Sequence, residues 1–370
     1  MKKVLFFINT LDGGGAEKVL IDIVNNMDHN KYDITVQAAI DGGVHKSKLR
    51  KGVKYKSIVK VKNVFIKKLM IKLICFRLPA KLAYKWFVKA DYDYEIAFLE
   101  GIPTKIISAS QNENKFAWVH TDLYNNISGM EKVYRTIEKQ RECYKKYKYI
   151  ICVSESTKLA FKERFGFDSN VIVKYNPVDE NKVKEKALEP LGEYEQNDKL
   201  KLITVGRLTD AKGYDRLLRI HKRLMDEGFS YELWIVGEGE KRAEFERYIE
   251  DNNLGSSVKL LGFQTNPYKF MEAADILTFP SKAEGYSTVA TEGVILGKPI
   301  IVSDCSGMQE IFGDSEYGVV TENNEEALYE GIKNMLSDEK LRNYYTEKAQ
   351  ERRESFKMGM RIRDIEALFN

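Results

Sequence analysis

The sequence lacks several features that would narrow its class at once. No hydrophobic run approaches the roughly 18 apolar residues of a membrane-spanning helix, and the stretch at residues 4–8 is too short for the core of a signal peptide. Only four cysteines occur among 370 residues, and none forms a C-x-x-C pair or another zinc-ligand spacing. We therefore expect a cytoplasmic protein with free thiols, attached at most to a membrane surface.

Acidic residues are missing from one long segment. Residues 42–90 contain no Asp or Glu but 15 Lys or Arg, so a net charge of +4 for the whole chain leaves −11 for the remainder. A basic block in an otherwise acidic protein indicates an anionic partner. Large apolar residues alternate with the cations, and Trp favours membrane interfaces. We expect an anionic membrane surface to be contacted by Lys67, Lys68, Lys72, Lys81, Lys85, Trp86 and Lys89.

The basic segment allows two other interpretations. One is a solvated basic face whose apolar residues belong to the core. The other is nucleic-acid binding, but no recognition motif accompanies the charge, so no nucleic-acid partner is expected.

The length predicts two domains, because single cores rarely exceed about 250–300 residues. Short apolar runs alternate with helical patterns in both halves, which is typical of parallel sheets with helices on both faces. Strands are predicted at residues 4–9, 34–39, 95–99, 115–120 and 149–153, and at 200–206, 232–237, 258–261, 276–279 and 299–302. Helices are predicted at residues 16–27, 214–227, 240–252 and 358–369.

These patterns predict two doubly wound α/β domains, over residues 1–178 and 179–355. The last helix, from about residue 356, would return to the first domain. Residues 177–199 are polar and low in aliphatics and are interpreted as a linker. Ligands of doubly wound sheets bind outside the carboxyl ends of the strands, so a site in a cleft between the domains is expected.

Two segments of the second half carry candidate binding residues. Arg207 ends a predicted strand and Lys212 precedes a predicted helix, where an anionic diphosphate would meet two cations and a helix N-terminus. Glu284 and Glu292 flank Gly285 and a predicted helix start at Ser287 or Thr288, and carboxylates accept hydrogen bonds from sugar hydroxyls. Solvated loop cations and a capped surface helix are the alternatives.

These motifs together resemble retaining glycosyltransferases with two Rossmann-like domains, the GT-B architecture of glycosyltransferase family four, as found in bacterial surface-polysaccharide synthesis. The match is densest in the second half. It is carried by Gly206-Arg207-Leu208, Lys212-Gly213, Ile235-Val236-Gly237-Glu238-Gly239, Leu261-Gly262-Phe263, Ala274-Asp275, Pro280-Ser281, Glu284-Gly285, Glu292 and Gly297-Lys298-Pro299. The first half matches through Gly13–Gly15, His120 and Asn176-Pro177-Val178-Asp179, where the family usually has Gly in place of Pro177.

The resemblance implies a reaction and a set of roles. A hexose would move from a nucleotide diphosphate sugar, with UDP favoured, to a saccharide or lipid-linked acceptor, without a metal or another cofactor. The first domain would bind the acceptor and the second the donor. Donor contacts are implied for Gly14, Gly15, Gly206, Arg207, Lys212, Gly237, Leu261, Gly262, Phe263, Glu284, Gly285, Tyr286, Ser287, Thr288 and Glu292.

Catalysis would involve Arg207, Lys212, Glu284 and His120. His120 follows an apolar strand, and a purely structural histidine at a strand end is the alternative. Glu100, Lys105 and Asp122 lie near predicted strand ends of the first half and are acceptor candidates, equally well read as ordinary loop charges. A nucleotide-sugar epimerase of similar fold and a catalytically silent partner of another transferase are the competing functions.

Two other motifs resemble binding motifs but do not indicate a metal or dinucleotide site. Asp91-Tyr92-Asp93 has the form of a metal-binding DxD motif but reads better as a helix-to-strand turn. The glycine loop at residues 13–15 lacks the last small residue of a dinucleotide fingerprint, because Lys18 stands there.

Overall fold

A computed structural model describes residues 1–61, 63–88, 90–123, 133–167, 169–192, 194 and 197–369. It contains two compact units. The first is Met1–Pro177 with the C-terminal segment from Gly359 onward, and the second is Val178–Met358. None of the helices within the described ranges is long and apolar enough to cross a membrane.

The first unit is built on a seven-stranded parallel sheet in the order β3-β2-β1-β4-β5-β6-β7. The strands are β1 (Lys2–Ile8), β2 (Tyr32–Ile40), β3 (Lys54–Val59), β4 (Tyr94–Ala97), β5 (Lys115–Val119), β6 (Tyr149–Cys152) and β7 (Val171–Val173). The helices are α1 (Gly15–Asn26), α2 (Val64–Lys72), α3 (Ala80–Phe87), α4 (Ile102–Ile107), α5 (Ile137–Tyr144) and α6 (Glu155–Phe165), with a π turn at Leu73–Arg77 and a 3₁₀ turn at Lys46–Lys48.

The C-terminal residues pack into the core of the first unit. Strand β1 is fully buried from Val4 to Ile8, because helices cover both faces of a parallel sheet. The ring of Phe369 lies 5.2 Å from that of Tyr94 and 5.6 Å from that of Tyr32. The Tyr94 hydroxyl donates a 2.9 Å hydrogen bond to the Phe369 carbonyl. Edge-to-face rings and this buried hydrogen bond tie the last turn, Ala367–Phe369, to the sheet.

The second unit has a six-stranded parallel sheet in the order β10-β9-β8-β11-β12-β13. The strands are β8 (Leu200–Val205), β9 (Tyr231–Val236), β10 (Val258–Gly262), β11 (Ile276–Phe279), β12 (Ile300–Ser303) and β13 (Val319–Thr321). The helices are α7 (Glu180–Ala187), α8 (Tyr214–Asp226), α9 (Arg242–Asp251), α10 (Tyr268–Ala273), α11 (Thr288–Leu296), α12 (Met308–Phe312), α13 (Glu325–Ser337) and α14 (Glu339–Arg352), with 3₁₀ turns at Asp210–Lys212 and Arg353–Phe356. The last helix, α15 (Met358–Glu366), belongs to the first unit from Gly359 onward.

Helix α8 shows how the second core is assembled. Leu217, Ile220 and Leu224 are spaced three and four residues apart and are buried, as expected for an amphipathic helix on a sheet. His221 is also fully buried, and its Nε2 lies 2.9 Å from the Ser257 hydroxyl. Burial alone lowers the pKa of His221 to about 4, so the ring is neutral at physiological pH.

The prediction of two doubly wound parallel sheets is confirmed, and most predicted strands differ from the observed ones by one or two residues. The short edge strands β3, β7 and β13 were not predicted. The linker prediction for residues 177–199 is wrong, because α7 lies inside it. Asp179 caps that helix, and only Val183 and Ala187 are buried. A surface helix that buries so few residues is mostly polar, so its composition resembles that of a linker.

Candidate active site

The two predicted binding segments of the second unit meet at one edge of its sheet. Strands β8 and β11 are neighbours, and the strand order reverses between them. Arg207 lies two residues after β8, and Glu284 lies five residues after β11. Ligands of doubly wound sheets bind outside the carboxyl ends of strands at such a reversal. The topology therefore places both segments beside the expected ligand crevice of this unit.

Lys212 and Glu284 form an ion pair in this crevice. The Nζ of Lys212 lies 2.5 Å from the Oε1 of Glu284, and the Ser281 hydroxyl donates to the same oxygen at 2.7 Å. The side chains are 23% and 14% exposed. Burial by itself would lower the pKa of Lys212, but the charge of Glu284 and the hydrogen bond outweigh it and raise that pKa. The lysine is therefore a cation at physiological pH, and its side chain is partly exposed.

Arg216 anchors the loop that carries Glu284. Its guanidinium is 5% exposed and donates to the carbonyl of Pro280 at 2.8 and 3.1 Å, and to that of Ser281 at 3.2 Å. It also donates to Ser303 at 2.9 Å and Asn323 at 2.8 Å. Sequence analysis did not single out Arg216, because it stands in a helix with several solvated Arg and Lys residues and nothing in the sequence distinguishes it from them.

We expect Arg216→Met to lower the free energy of unfolding by about 3 kcal/mol, because it strips several buried acceptors of their donor. Nucleotide affinity should fall with it, since the Glu284 loop loses its anchor. Urea unfolding followed by circular dichroism measures the first effect. The matched control is Arg219→Met on the same helix, where the exposed pair with Glu325 should be worth less than about 1 kcal/mol. Equal losses in the two variants would contradict the anchoring role.

Helix α11 begins directly behind this loop. Ser287 is its N-cap, as predicted, and accepts a hydrogen bond from the Ala290 amide at 3.3 Å. Gly285 and Tyr286 are buried, and Thr288 is half-buried. Glu292, on the second turn of α11, is 4% exposed, and the Tyr268 hydroxyl approaches its Oε1 at 3.4 Å. The site thus presents a helix N-terminus, with its amide dipoles, beside two carboxylates.

Glycines let three strand ends approach one another. A Cβ on Gly206 would lie 2.7 Å from the Tyr214 hydroxyl, and one on Gly237 would lie 1.9 Å from the Gly206 carbonyl. Gly237 also has a φ of +145° and its amide donates to the Gly262 carbonyl at 2.8 Å. Beside them Leu261 is buried, whereas the Phe263 ring is 53% exposed. An exposed aromatic ring at this edge is suited to stacking against a planar base.

Arg207 differs from Lys212 in its environment. Its side chain is exposed and has no hydrogen-bond or ion-pair partner within the described ranges. Its planar guanidinium is therefore available for a bidentate contact with a phosphate.

In the first unit, His120 lies just beyond β5 and is 9% exposed. Its ring is 4.7 Å from the Phe98 ring and 6.4 Å from the Trp118 ring, to which it is stacked. Burial lowers the pKa of His120 to about 3, partly opposed by the backbone of Phe98. The Nε2 atom has no hydrogen-bond partner in the described part of the chain. The imidazole is therefore neutral, and its unpartnered Nε2 is buried.

Glu100 holds the backbone at His120 in place. One oxygen of this 2% exposed carboxylate accepts from the His120 amide at 2.6 Å and from the Thr121 amide and hydroxyl at 2.9 and 3.1 Å. Burial raises the pKa of Glu100, and the backbone and Thr121 hydrogen bonds oppose that rise. This candidate for acceptor binding is thus a clamp on the chain after β5.

The other two acceptor candidates are Asp122 and Lys105. Asp122 is 5% exposed. Lys105 lies within α4 beside Cys143 of α5, where burial raises the pKa of the thiol while the charges of Lys146 and Lys105 oppose that rise. Gly14 caps α1 and Gly15 is its first residue, at the end of the loop after β1.

Asp93 lies at the amino ends of the strands of the first sheet, whereas His120 lies at the carboxyl ends. Asp93 precedes β4, and its carboxylate accepts from the Lys3 amide at 2.6 Å. The residues thus form a helix-to-strand turn, as interpreted from the sequence. Among the residues with described positions, no group of three His, Cys, Asp or Glu is arranged to hold a metal ion.

Structural comparison identifies the class of fold. HepE from Anabaena, whose crystal structure contains UDP, superposes with a TM-score of 0.76 at 18% identity over 100% of this chain and 99% of its own. The two Rossmann-like domains are those of the GT-B glycosyltransferase fold, so the predicted fold class is confirmed.

Sequence comparison adds relatives of the same class. Residues 189–352 match the family model of glycosyl transferases group 1. An N-acetylgalactosamine-N,N'-diacetylbacillosaminyl-diphospho-undecaprenol 4-alpha-N-acetylgalactosaminyltransferase of Campylobacter jejuni is 38% identical over 49% of this chain, and the match spans about half, 48%, of that relative. An uncharacterized glycosyltransferase of Haemophilus influenzae is 25% identical over 92% of both chains. Together these similarities support a glycosyltransferase.

Proposed function

We propose that this chain is a retaining glycosyltransferase of the family-four type that moves a hexose from a UDP-sugar to a saccharide or lipid-linked hydroxyl without a metal ion. The bond from the sugar C1 to the donor phosphate oxygen breaks, and a bond from C1 to the acceptor oxygen forms on the same face. The acceptor proton passes to the departing phosphate oxygen. The nucleotide diphosphate leaves with the electron pair.

The observation that carries the proposal is the pairing of Lys212 with Glu284 at the strand-order reversal of the second unit. A diphosphate beside Lys212, Arg207 and the N-terminus of α11 would have its charge neutralised by two cations and a helix dipole. Such preorganised charges stabilise a leaving group without a metal. UDP is favoured because a structural neighbour was solved with it.

The remaining roles follow the resemblance. Glu284 would accept from hydroxyls of the transferred sugar, and Glu292 from the ribose hydroxyls. The amides from Gly285 to Thr288 would contact the distal phosphate, and Phe263 would stack on the base. His120 would orient a hydroxyl of the donor sugar or contact a phosphate as a neutral imidazole.

The acceptor is proposed from the relatives. The Campylobacter jejuni enzyme is named for a saccharide on diphospho-undecaprenol, and a Staphylococcus aureus relative for capsular polysaccharide biosynthesis. We infer an acceptor of this lipid-linked class and a peripheral location at the inner face of the cell membrane.

Calorimetry with UDP, GDP and ADP in the absence of divalent ions tests the proposal. We expect one nucleotide, UDP, to bind the wild type, and Arg207→Ala to weaken that binding about tenfold or more because a charged hydrogen bond to phosphate is lost. Arg247→Ala on the exposed face of α9 is the matched control and should bind as wild type.

Other outcomes favour the competing functions. A folded wild type that binds none of the three nucleotides favours a catalytically silent partner. Binding of UDP with conversion of a UDP-sugar to its epimer, and no transfer to any acceptor hydroxyl, favours an epimerase.

A further inference from the structure

Large apolar side chains are exposed on two consecutive helices of the first unit. Of the fifteen such side chains exposed in the described part of the chain, six lie in the short stretch spanned by α2, the π turn and α3. They range from 42% to 78% exposed. They are Phe65, Ile66, Leu69, Leu73, Leu82 and Trp86.

The exposed residues do not lie on the side of the helices that packs against the core of the unit. Ile74, Ala83 and Val88 are buried in the hydrophobic core of the unit, with Met70 and Tyr84 packed against it. The exposed residues are spaced three or four apart, as in Ile66, Leu69 and Leu73, or Leu82 and Trp86, and so form stripes of their own. The elements are therefore apolar on a second side that the unit itself leaves uncovered.

Cations border these stripes without carboxylate partners. Lys72, Arg77, Lys81 and Lys85 are exposed, and none forms an ion pair with a described residue. By contrast, Lys46 and Lys54 of the preceding segment pair with Asp41 and Asp33 at 2.9 and 2.6 Å. No Asp or Glu occurs between residues 42 and 90. Lys89 and the side chains of Lys67 and Lys68, also predicted to face a membrane, lie outside the described residues.

We propose that this basic apolar surface, formed by the six exposed apolar residues with Lys72, Arg77, Lys81 and Lys85, docks on an anionic lipid bilayer. The apolar tips enter the headgroup region and the cations contact lipid phosphates, as expected for interfacial amphipathic helices with an aromatic anchor. A second copy of the chain is disfavoured, because the same cations would face each other. The inference goes beyond the proposed chemistry, since docking needs neither donor nor acceptor.

Flotation of the full chain with vesicles tests the surface. We expect binding to phosphatidylcholine vesicles that contain about one third phosphatidylglycerol, weak binding to phosphatidylcholine alone, and release at high salt. The double variant Lys81→Gln with Lys85→Gln should bind roughly 25-fold more weakly, at about fivefold per cation. The matched control replaces the exposed Lys139 and Lys146 by Gln and should bind as wild type.

The apolar contribution is tested separately. Phe65→Ser with Leu69→Ser should weaken binding at least about tenfold even to anionic vesicles. Its control is Leu159→Ser with Leu188→Ser, since those leucines are 65% and 85% exposed elsewhere. Trp118 and Trp234 are buried, so a blue shift of tryptophan emission on vesicle addition reports Trp86, which is 52% exposed.

Two results would overturn the proposal. One is equal binding of wild type and both surface variants to anionic vesicles, or no binding at all. The other is a concentration-dependent dimer in sedimentation that Phe65→Ser with Leu69→Ser abolishes, which would assign the surface to a second copy. UDP calorimetry on the same samples keeps a failure here distinct from a failure of the proposed transferase activity.

Discussion

Lys212→Ala is expected to lower the rate of sugar transfer by about 100- to 1,000-fold, the usual effect of removing one charge-stabilising donor from an active site. The lysine ammonium lies 2.5 Å from Glu284 and has a raised pKa, so it carries its charge at physiological pH. No other buried cation in the described residues contacts that carboxylate. Affinity for UDP should fall as well, because the ground-state diphosphate has the same charge.

Steady-state transfer and UDP calorimetry measure these two losses. Lys222→Ala is the matched control, since Lys222 lies on α8 and pairs with the exposed Asp226 at 2.5 Å. A thermal melt checks that the variant folds despite the partly buried carboxylate left behind. The effects of Lys212→Ala and Glu284→Gln should be far from additive, because the two groups touch. Turnover within about threefold of wild type in Lys212→Ala would remove the lysine from the mechanism.

The second large effect is expected at His120. We expect His120→Ala to lower turnover by about 100- to 1,000-fold while UDP affinity changes by less than about threefold. The imidazole is neutral, packed against Phe98 and Trp118, and its Nε2 has no partner among the described residues. We therefore expect the loss of the imidazole to affect turnover more than nucleotide binding.

The pH dependence provides an independent check on His120. Its pKa of about 3 lies below the ordinary value of 6.5, so the unfolded chain takes up a proton first as the pH falls. The stability that the neutral ring contributes is therefore present above pH 6.5 and lost progressively toward pH 3. Because His120 does not titrate near neutral pH, the shape of the turnover profile there should be the same in wild type and His120→Asn. His29→Ala, at the half-buried end of the turn after α1, is the control for both measurements. Unchanged turnover in His120→Ala would leave this histidine a purely structural role.

The alternation of apolar runs with helical patterns was enough to predict both sheets, because parallel strands covered on two faces must be apolar throughout. The edge strands β3, β7 and β13 were not predicted. Short edge strands such as Lys54–Val59 are only partly buried and therefore lack continuous apolar runs. Helix α7 was not predicted either, because most of its residues are polar, as in a linker.

The candidate site divides in the same way. The sequence by itself determined that Arg207, Lys212 and Glu284 follow strand ends or precede helices and that Glu292 lies within a helix, because those positions depend on local patterns. Only the tertiary structure decided that Lys212 and Glu284 are in contact, and that Arg216 anchors the loop that carries Glu284. It also decided that Glu100 clamps the chain at His120 rather than standing open to a ligand, and that six apolar residues of α2 to α3 face outward. Contacts between groups 20 or 72 residues apart depend on how strands are ordered in a sheet, and no local pattern encodes that order.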